Sequence, residues 1–117
     1  MNLMSAVTDV GEDLVVPAPV LVEVDYWLHK LYGPEPWKTF VEDVARGAYR
    51  LHQLDEAQLA RAAELECTYE SLDVRLVDAA VIVTCEMLRE TKVATLDRRD
   101  FSVVRPRHCD SLVLLPA

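Results

Sequence analysis

Short apolar segments alternate with helical patterns along this chain, and this alternation limits its fold more than any other feature. Four segments are predicted to be strands: residues 14–16, 48–51, 93–96 and 112–115. They are apolar on both faces, which is typical of strands buried in a parallel sheet. Helical patterns separate most of them. Strands separated by helices indicate an α/β fold with a short, mainly parallel sheet flanked by helices.

Apolar residues at helical spacing predict four helices between these strands. The first runs from Pro19 to about Leu31, and the second follows two connecting prolines. The fourth, residues 74–89, is apolar around most of its circumference, which predicts that it is buried. Asp55 is expected to cap the third helix. The residues predicted to face inward on that helix are Leu59, Ala62, Ala63 and Cys67.

The beginning of the chain differs from that of a complete α/β unit. Residues 7–11 look like the end of a helix with Gly11 as its C-cap, although such a unit normally opens on a strand. We therefore expect residues 1–117 to form a single domain that is truncated at its N-terminus. After the strand at residues 93–96, a polar turn is predicted.

The length and charge of the chain limit its class. Its 117 residues suit one domain, because two would each be too small to bury a good core. The net charge of −8 argues against a generic nucleic-acid binder. Residues 74–117 nevertheless carry 7 bases against 6 acids, whereas residues 1–73 carry 5 against 14. A local basic surface is therefore compatible with this acidic protein.

Nothing in the sequence predicts a membrane or secreted protein. The longest apolar stretch, residues 14–22, contains prolines and is far shorter than the roughly 20 residues that a membrane span needs. The start of the chain lacks the pattern of a signal peptide. The three cysteines form no CxxC pair, so we expect a reducing, cytoplasmic location. Cys67 and Cys85 are expected to be buried in helices.

Three acids stand where a carboxylate is costly. Glu23 interrupts the apolar start of the first helix, Asp78 interrupts the start of the fourth, and Asp97 directly follows a predicted strand. A buried carboxylate needs a cation, hydrogen-bond donors or a metal as its partner. Taken singly, Glu23 could be a surface residue of a first helical turn and Asp97 an ordinary turn residue.

The predicted positions of these acids agree on one edge of the sheet. Asp97 lies at the C-terminal end of a strand, and the other two lie in first turns of helices near that edge, where open α/β sheets place their sites. Converging carboxylates suit Mg²⁺ or Mn²⁺, which activate water and stabilise the leaving oxygen of a phosphodiester. Nearby arginines suit the flanking phosphates, although they could equally form a solvated loop: Arg98, Arg99, Arg105 and Arg107.

Three segments, residues 20–25 (VLVEVD), 76–80 (LVDAA) and 95–101 (TLDRRDF), resemble successive motifs of PIN-domain proteins. They are most similar to those of VapC-like toxins of bacterial toxin–antitoxin pairs. This resemblance implies a PIN-like fold and a Mg²⁺- or Mn²⁺-dependent endoribonuclease that cuts RNA such as tRNA. It also implies a homodimer and inhibition by a cognate VapB-like antitoxin.

Residue by residue, the resemblance implies catalytic and metal-binding roles for the three acids that match the family's second, third and fourth: Glu23, Asp78 and Asp97. It implies an assisting role for Thr95 and Asp100. Because Arg98 and Arg99 stand beside the acids, we expect them to contact the RNA backbone.

The sequence departs from the family at its beginning. The family's first acid ends the first, central strand in a motif like Asp-Thr-Ser, and no such motif stands here. We therefore expect that strand and that acid to be missing. Three hypotheses remain open: a ribonuclease whose translation begins upstream, a catalytically inactive remnant that only binds an antitoxin or a paralogue, and an unstable product of a misplaced start codon.

Overall fold

The computed structural model of the chain describes residues 5–8, 14–95 and 99–115. None of the helices in this part of the chain is long and apolar enough to cross a membrane. In chain order, its elements are β1 (Ser5–Thr8), β2 (Leu14–Pro17), α1 (Val20–Tyr32), α2 (Pro34–Ala45), β3 (Tyr49–His52), α3 (Glu56–Thr68), a 3-10 turn (Glu70–Leu72), α4 (Leu76–Leu88), β4 (Lys92–Thr95), α5 (Arg99–Val103) and β5 (Val113–Leu115).

The strands form one five-stranded sheet in the order β3-β2-β1-β4-β5. The outer pairs, β2 with β3 and β4 with β5, are parallel. The central strand β1 is antiparallel to both of its neighbours. The other four strands therefore all run in the same direction. The prediction of an α/β fold with a mainly parallel sheet and flanking helices is confirmed.

The centre of the sheet differs from the prediction that residues 7–11 end a helix. Val7 instead lies in β1, where it pairs with Val15 on one side and Val93 on the other. Valine and threonine favour strands, and two neighbouring strands supply partners for the backbone groups of this segment. Gly11 lies outside the described residues. That the family's own first strand lies outside this sequence stays a prediction.

Helix α4 forms the middle of the core. Seven successive residues, from Ala79 to Cys85, are buried, which confirms the prediction of a buried helix. The helix packs against β1, β2, β4, α1 and α3. Burying a side chain such as Ile82 stabilises the fold by roughly 1.5–3 kcal/mol relative to an exposed position. Because α4 contacts so many elements, residues at either of its ends are held in place by the core.

Helix α3 buries a narrower face than the sequence predicted. Its buried residues are Ala62 and Leu65. Its main contact is with α4, so only the side of α3 that faces α4 is buried. The prediction was therefore wrong for three residues, which are exposed: Leu59, Ala63 and Cys67.

The predicted cap of α3 is confirmed. The Asp55 carboxylate accepts a hydrogen bond from the Gln58 N–H at 2.8 Å, and the Gln58 side chain accepts one from the Asp55 N–H at 3.1 Å. This reciprocal pair satisfies two backbone donors that the first helical turn leaves without partners. The local sequence therefore determines where α3 begins.

Two helix boundaries differ from the predictions. Helix α2 begins at Pro34, so both prolines expected in the connection lie in its first turn, where a missing N–H costs nothing. The polar turn predicted after β4 contains a short helix, α5. Phe101 and Val104, three positions apart, are both fully buried, and this pair explains why a helical turn forms there.

Candidate active site

One edge of the sheet collects the C-terminal ends of the four strands that run in the same direction, and we call it the carboxyl edge. The Ala18 N–H, just after β2, donates to the His52 carbonyl at the end of β3 over 2.8 Å. Helix α1 begins two residues later, at Val20. The first turn of α1 therefore lies at the carboxyl edge.

Glu23 lies in that first turn of α1. It is half-buried, and its helical neighbours Val20 and Val24 are buried in the core. Those two valines hold the helix against the sheet and limit how far Glu23 can move. The N-terminal end of a helix carries partial positive charge, which favours a carboxylate at this position.

Asp78 lies in the first turn of α4, directly before the buried run. The helix ends at Leu88 and β4 begins at Lys92, so α4 returns along the sheet to the start of β4. Its 13 residues span about 20 Å, which brings its first turn to the edge where β4 ends. Asp78 is half-buried there, and α1 contacts α4. The structure thus places Glu23 and Asp78 at the same edge.

Only some of the remaining predicted site residues lie in the part of the chain that the structure describes. Asp97 and Arg98 lie outside the described residues. Thr95 ends β4, and Arg99 and Asp100 begin α5. Within residues 5–8, 14–95 and 99–115, no three His, Cys, Asp or Glu side chains gather as a metal site would require. The catalytic and metal-binding roles of all these residues stay predictions.

The chemistry of Glu23 and Asp78 fits a hard divalent cation. Both offer only carboxylate oxygens, and Mg²⁺ is commonly held by one or two carboxylates while it keeps several waters. Their half-buried positions would strengthen electrostatic attraction to a cation relative to bulk water. These two residues therefore fit the metal that the sequence predicts.

A second charged cluster, which the sequence reasoning missed, joins α3 to α4. Arg61 Nε and Nη2 donate to the two carboxylate oxygens of Glu86 at 2.9 and 2.8 Å. The side chains are only 15% and 11% exposed. Such a two-point pair is geometrically specific and excludes water from both groups. The feature of the sequence that could have revealed this ion pair is Glu86, a second acid inside the apolar helix α4.

The same Glu86 also holds a later part of the chain. Its Oε2 accepts the backbone N–H of Arg107 at 2.8 Å. Burial alone would raise the pKa of Glu86, but the hydrogen bonds from Arg61 and from that N–H outweigh it and lower this pKa. The hydrogen bond to Glu86 raises the pKa of Arg61. Glu86 is therefore a charged group whose partners lie within the protein.

The guanidinium groups of Arg105 and Arg107 bind the protein itself. Arg105 Nη1 donates to the carbonyls of Ser102 and Val103 at 3.3 and 3.1 Å. Arg107 Nη2 donates to Glu64 Oε1 at 3.1 Å. These contacts favour a structural role over the phosphate contacts that the sequence suggested for the two arginines.

Comparison with known proteins identifies the class. A model of the PIN domain matches residues 2–105, so the chain belongs to the PIN-domain family. It is also 31% identical over 104 residues to Ribonuclease VapC26 of Mycobacterium tuberculosis (strain ATCC 25618 / H37Rv), covering 88% of this chain and 77% of that protein. The resemblance to VapC-like PIN domains drawn from the three motifs is confirmed.

Proposed function

We propose that the protein is a Mg²⁺- or Mn²⁺-dependent endoribonuclease, the toxin of a toxin–antitoxin pair, that hydrolyses phosphodiester bonds of RNA. The observation that carries this proposal is the position of Glu23 and Asp78 at the carboxyl edge of a PIN-domain sheet. The similarity to Ribonuclease VapC26 supports RNA as the substrate.

In the proposed mechanism, the acids hold the cation and the arginines hold RNA. Glu23, Asp78 and Asp97 would be the metal ligands. When bound, the cation supplies charge for the scissile phosphate and activates water. Because α1 and α4 are packed against the core, the backbone positions that carry Glu23 and Asp78 are held in place, which would limit reorganisation during the reaction.

Four further residues would support the reaction. Thr95 and Asp100 assist near the fourth acid. Arg98 and Arg99 neutralise phosphates that flank the cleaved bond, because guanidinium groups match phosphate oxygens in charge and geometry.

The proposed partners are a VapB-like antitoxin, RNA such as tRNA, and a second copy of the chain. Exposed apolar side chains one helical turn apart on α1 support a protein partner: Val22 is 71% exposed and Tyr26 55%. Large exposed apolar groups close together mark interaction surfaces. We propose that the protein is a single cytoplasmic domain. The same surface favours a second candidate function, that of a catalytically inactive chain that only binds its antitoxin or a paralogue.

The variant Asp78→Asn tests the proposed reaction, because it keeps the shape of the side chain and removes its charge. We expect cleavage of tRNA in Mg²⁺ to fall at least about 100-fold, with cooperative unfolding retained. The matched control is Asp73→Asn in the loop before α4, where the side chain is exposed and asparagine tolerates the left-handed backbone.

Two outcomes would contradict the proposal. Cleavage by Asp78→Asn at the wild-type rate would exclude Asp78 as a ligand. Wild-type protein that binds an antitoxin but cleaves no RNA in Mg²⁺ or Mn²⁺ would favour the binding function instead.

A further inference from the structure

We propose that Tyr69 and Glu86 are positioning residues that anchor residues 104–108 and thereby set the place of α5, which begins four positions after β4 ends at the carboxyl edge. We call residues 104–108 the anchored segment. This inference rests on the proposed ribonuclease function, and it adds residues to that function that lie outside the three motifs.

Two side chains hold the backbone of the anchored segment. The Tyr69 hydroxyl, directly after α3, accepts the Arg105 N–H at 2.9 Å. Glu86 on α4 accepts the Arg107 N–H at 2.8 Å. In a third hydrogen bond the segment donates through a side chain, from His108 Nε2 to the Glu90 carbonyl at 2.7 Å. Three of the five residues of the segment are thus tied to α4 and to the residues that directly follow α3 and α4.

Glu86 is itself immobilised by Arg61. The two-point contact with that guanidinium fixes the plane of the carboxylate, so the oxygen that receives the Arg107 N–H has a defined position. Charged acceptors make stronger hydrogen bonds than neutral ones. The anchored segment is therefore attached to a rigid point on the core and not to a mobile surface side chain.

The anchored segment is coupled directly to α5. Val104 follows the last residue of α5, and Phe101 within the helix is 1% exposed. Arg105 also binds the carbonyls of Ser102 and Val103, the last turn of this helix. A helix of five residues is about 7.5 Å long, so a shift of its last turn moves the whole helix. Its beginning carries Arg99 and Asp100.

The effect on the reaction is indirect. Glu86 lies eight positions after Asp78 on α4, which corresponds to about 12 Å along the helix axis. Glu86 therefore acts at a distance from any cation that Asp78 holds. Loss of an anchor is expected to weaken metal binding and slow turnover while leaving the affinity for RNA nearly unchanged.

The test uses Tyr69→Phe, which removes one hydroxyl, and Glu86→Ala, which removes the second anchor. The matched control is Glu64→Gln, because exposed Glu64 contacts the side chains of Arg61 and Arg107 but none of the anchoring N–H groups. Amide hydrogen exchange should accelerate at Arg105 in Tyr69→Phe and at Arg107 in Glu86→Ala. Both amides should keep wild-type exchange in Glu64→Gln.

The second readout is the metal itself. Mn²⁺ binding, followed by electron paramagnetic resonance without RNA, should weaken roughly tenfold in both anchor variants, because a displacement near 1 Å already disrupts such a site. Cleavage at limiting Mg²⁺ should fall similarly, recover at saturating Mg²⁺, and show a KM for tRNA within about twofold of wild type.

The outcomes separate this inference from the proposed function. Faster amide exchange with wild-type Mn²⁺ affinity and cleavage would overturn the positioning role and leave the ribonuclease intact. Wild-type exchange in Tyr69→Phe would overturn the anchoring. An equal loss of cleavage at every Mg²⁺ concentration would indicate general destabilisation and also overturn it. Absence of metal-dependent cleavage in the wild type would overturn the proposed function, and this inference with it.

Discussion

The two ends of α4 each carry an acid within an apolar sequence, and the two acids have different surroundings. Asp78 lies half-buried in the first turn, at the carboxyl edge. Glu86 lies near the last turn, 11% exposed, where it pairs with Arg61 and accepts the Arg107 N–H. An acid in an apolar helix therefore marks a need for partners, and those of Glu86 are structural.

This difference predicts opposite consequences of mutation. Glu86 has its guanidinium and backbone donors within the chain, so its removal leaves a mostly buried Arg61 with only the exposed Glu64 as counter-charge. Asp78 stands at the edge where a cation would bind, so its removal should affect the reaction more than the fold. Three predictions follow this contrast, in order of decreasing effect.

The largest expected effect on stability comes from Glu86→Leu. We expect it to lower the free energy of unfolding by about 3 kcal/mol, since it removes one partner of a largely buried ion pair. Asp78→Asn should change that free energy by less than about 1 kcal/mol, the size of a typical charge effect in a first helical turn. Urea unfolding followed by circular dichroism measures both.

A double variant provides the control. Replacing both Arg61 and Glu86 by leucine should be less destabilising than the single Glu86→Leu change, because no unpaired buried charge remains. Equal stability losses in Glu86→Leu and Asp78→Asn would remove the distinction between the two ends of α4.

The pH dependence of stability sharpens the comparison. Because the pKa of Glu86 is lowered from 4.5 in the folded protein, its stabilisation is fully present above that pH and is lost as the pH falls through the lowered value. The stability difference between wild type and Glu86→Gln should therefore shrink below about pH 4.5. Urea midpoints at several pH values between 7 and 3 would show this, and a constant difference would contradict it.

The smallest effect concerns the thiols around the same helix. Burial raises the pKa of Cys85 near the C-terminal end of α4, whereas Cys67 on α3 is exposed. At pH 8, a maleimide reagent should label Cys67 rapidly and Cys85 only after unfolding, because the reactive species is the thiolate. With half-buried Cys109 also replaced by serine, Cys67→Ser should abolish the rapid phase, and rapid labelling of Cys85 in that double variant would show that α4 is less tightly packed than described.

Much of the fold was predictable because its signals are local. The alternation of strands and helices, the cap at Asp55 and the burial of α4 each depend on residues close together in the sequence. The inward face of α3 was predicted wrongly because apolar residues such as Leu59 are equally compatible with a protein surface. Short helix α5 was missed because its stability depends on buried Phe101 and Val104 within a polar stretch.

The candidate site was predictable only in part. The three motifs identified Glu23 and Asp78, and the sheet topology places both at the carboxyl edge. Asp97 lies outside the described residues, and its role stays a prediction. The anchors at Tyr69 and Glu86 could not be predicted, because their partners lie 36 and 21 positions away.

The sequence by itself determined the class of fold and the order of the elements from β2 to β4, because hydrophobic periodicity and capping act over a few residues. Only the tertiary structure decided that β1 occupies the centre of the sheet against the direction of its neighbours. It also decided that Glu86 near the end of α4 pairs with Arg61 on α3. The physical reason is that hydrogen-bond and charge partners are chosen by contacts between distant segments, which no local pattern contains.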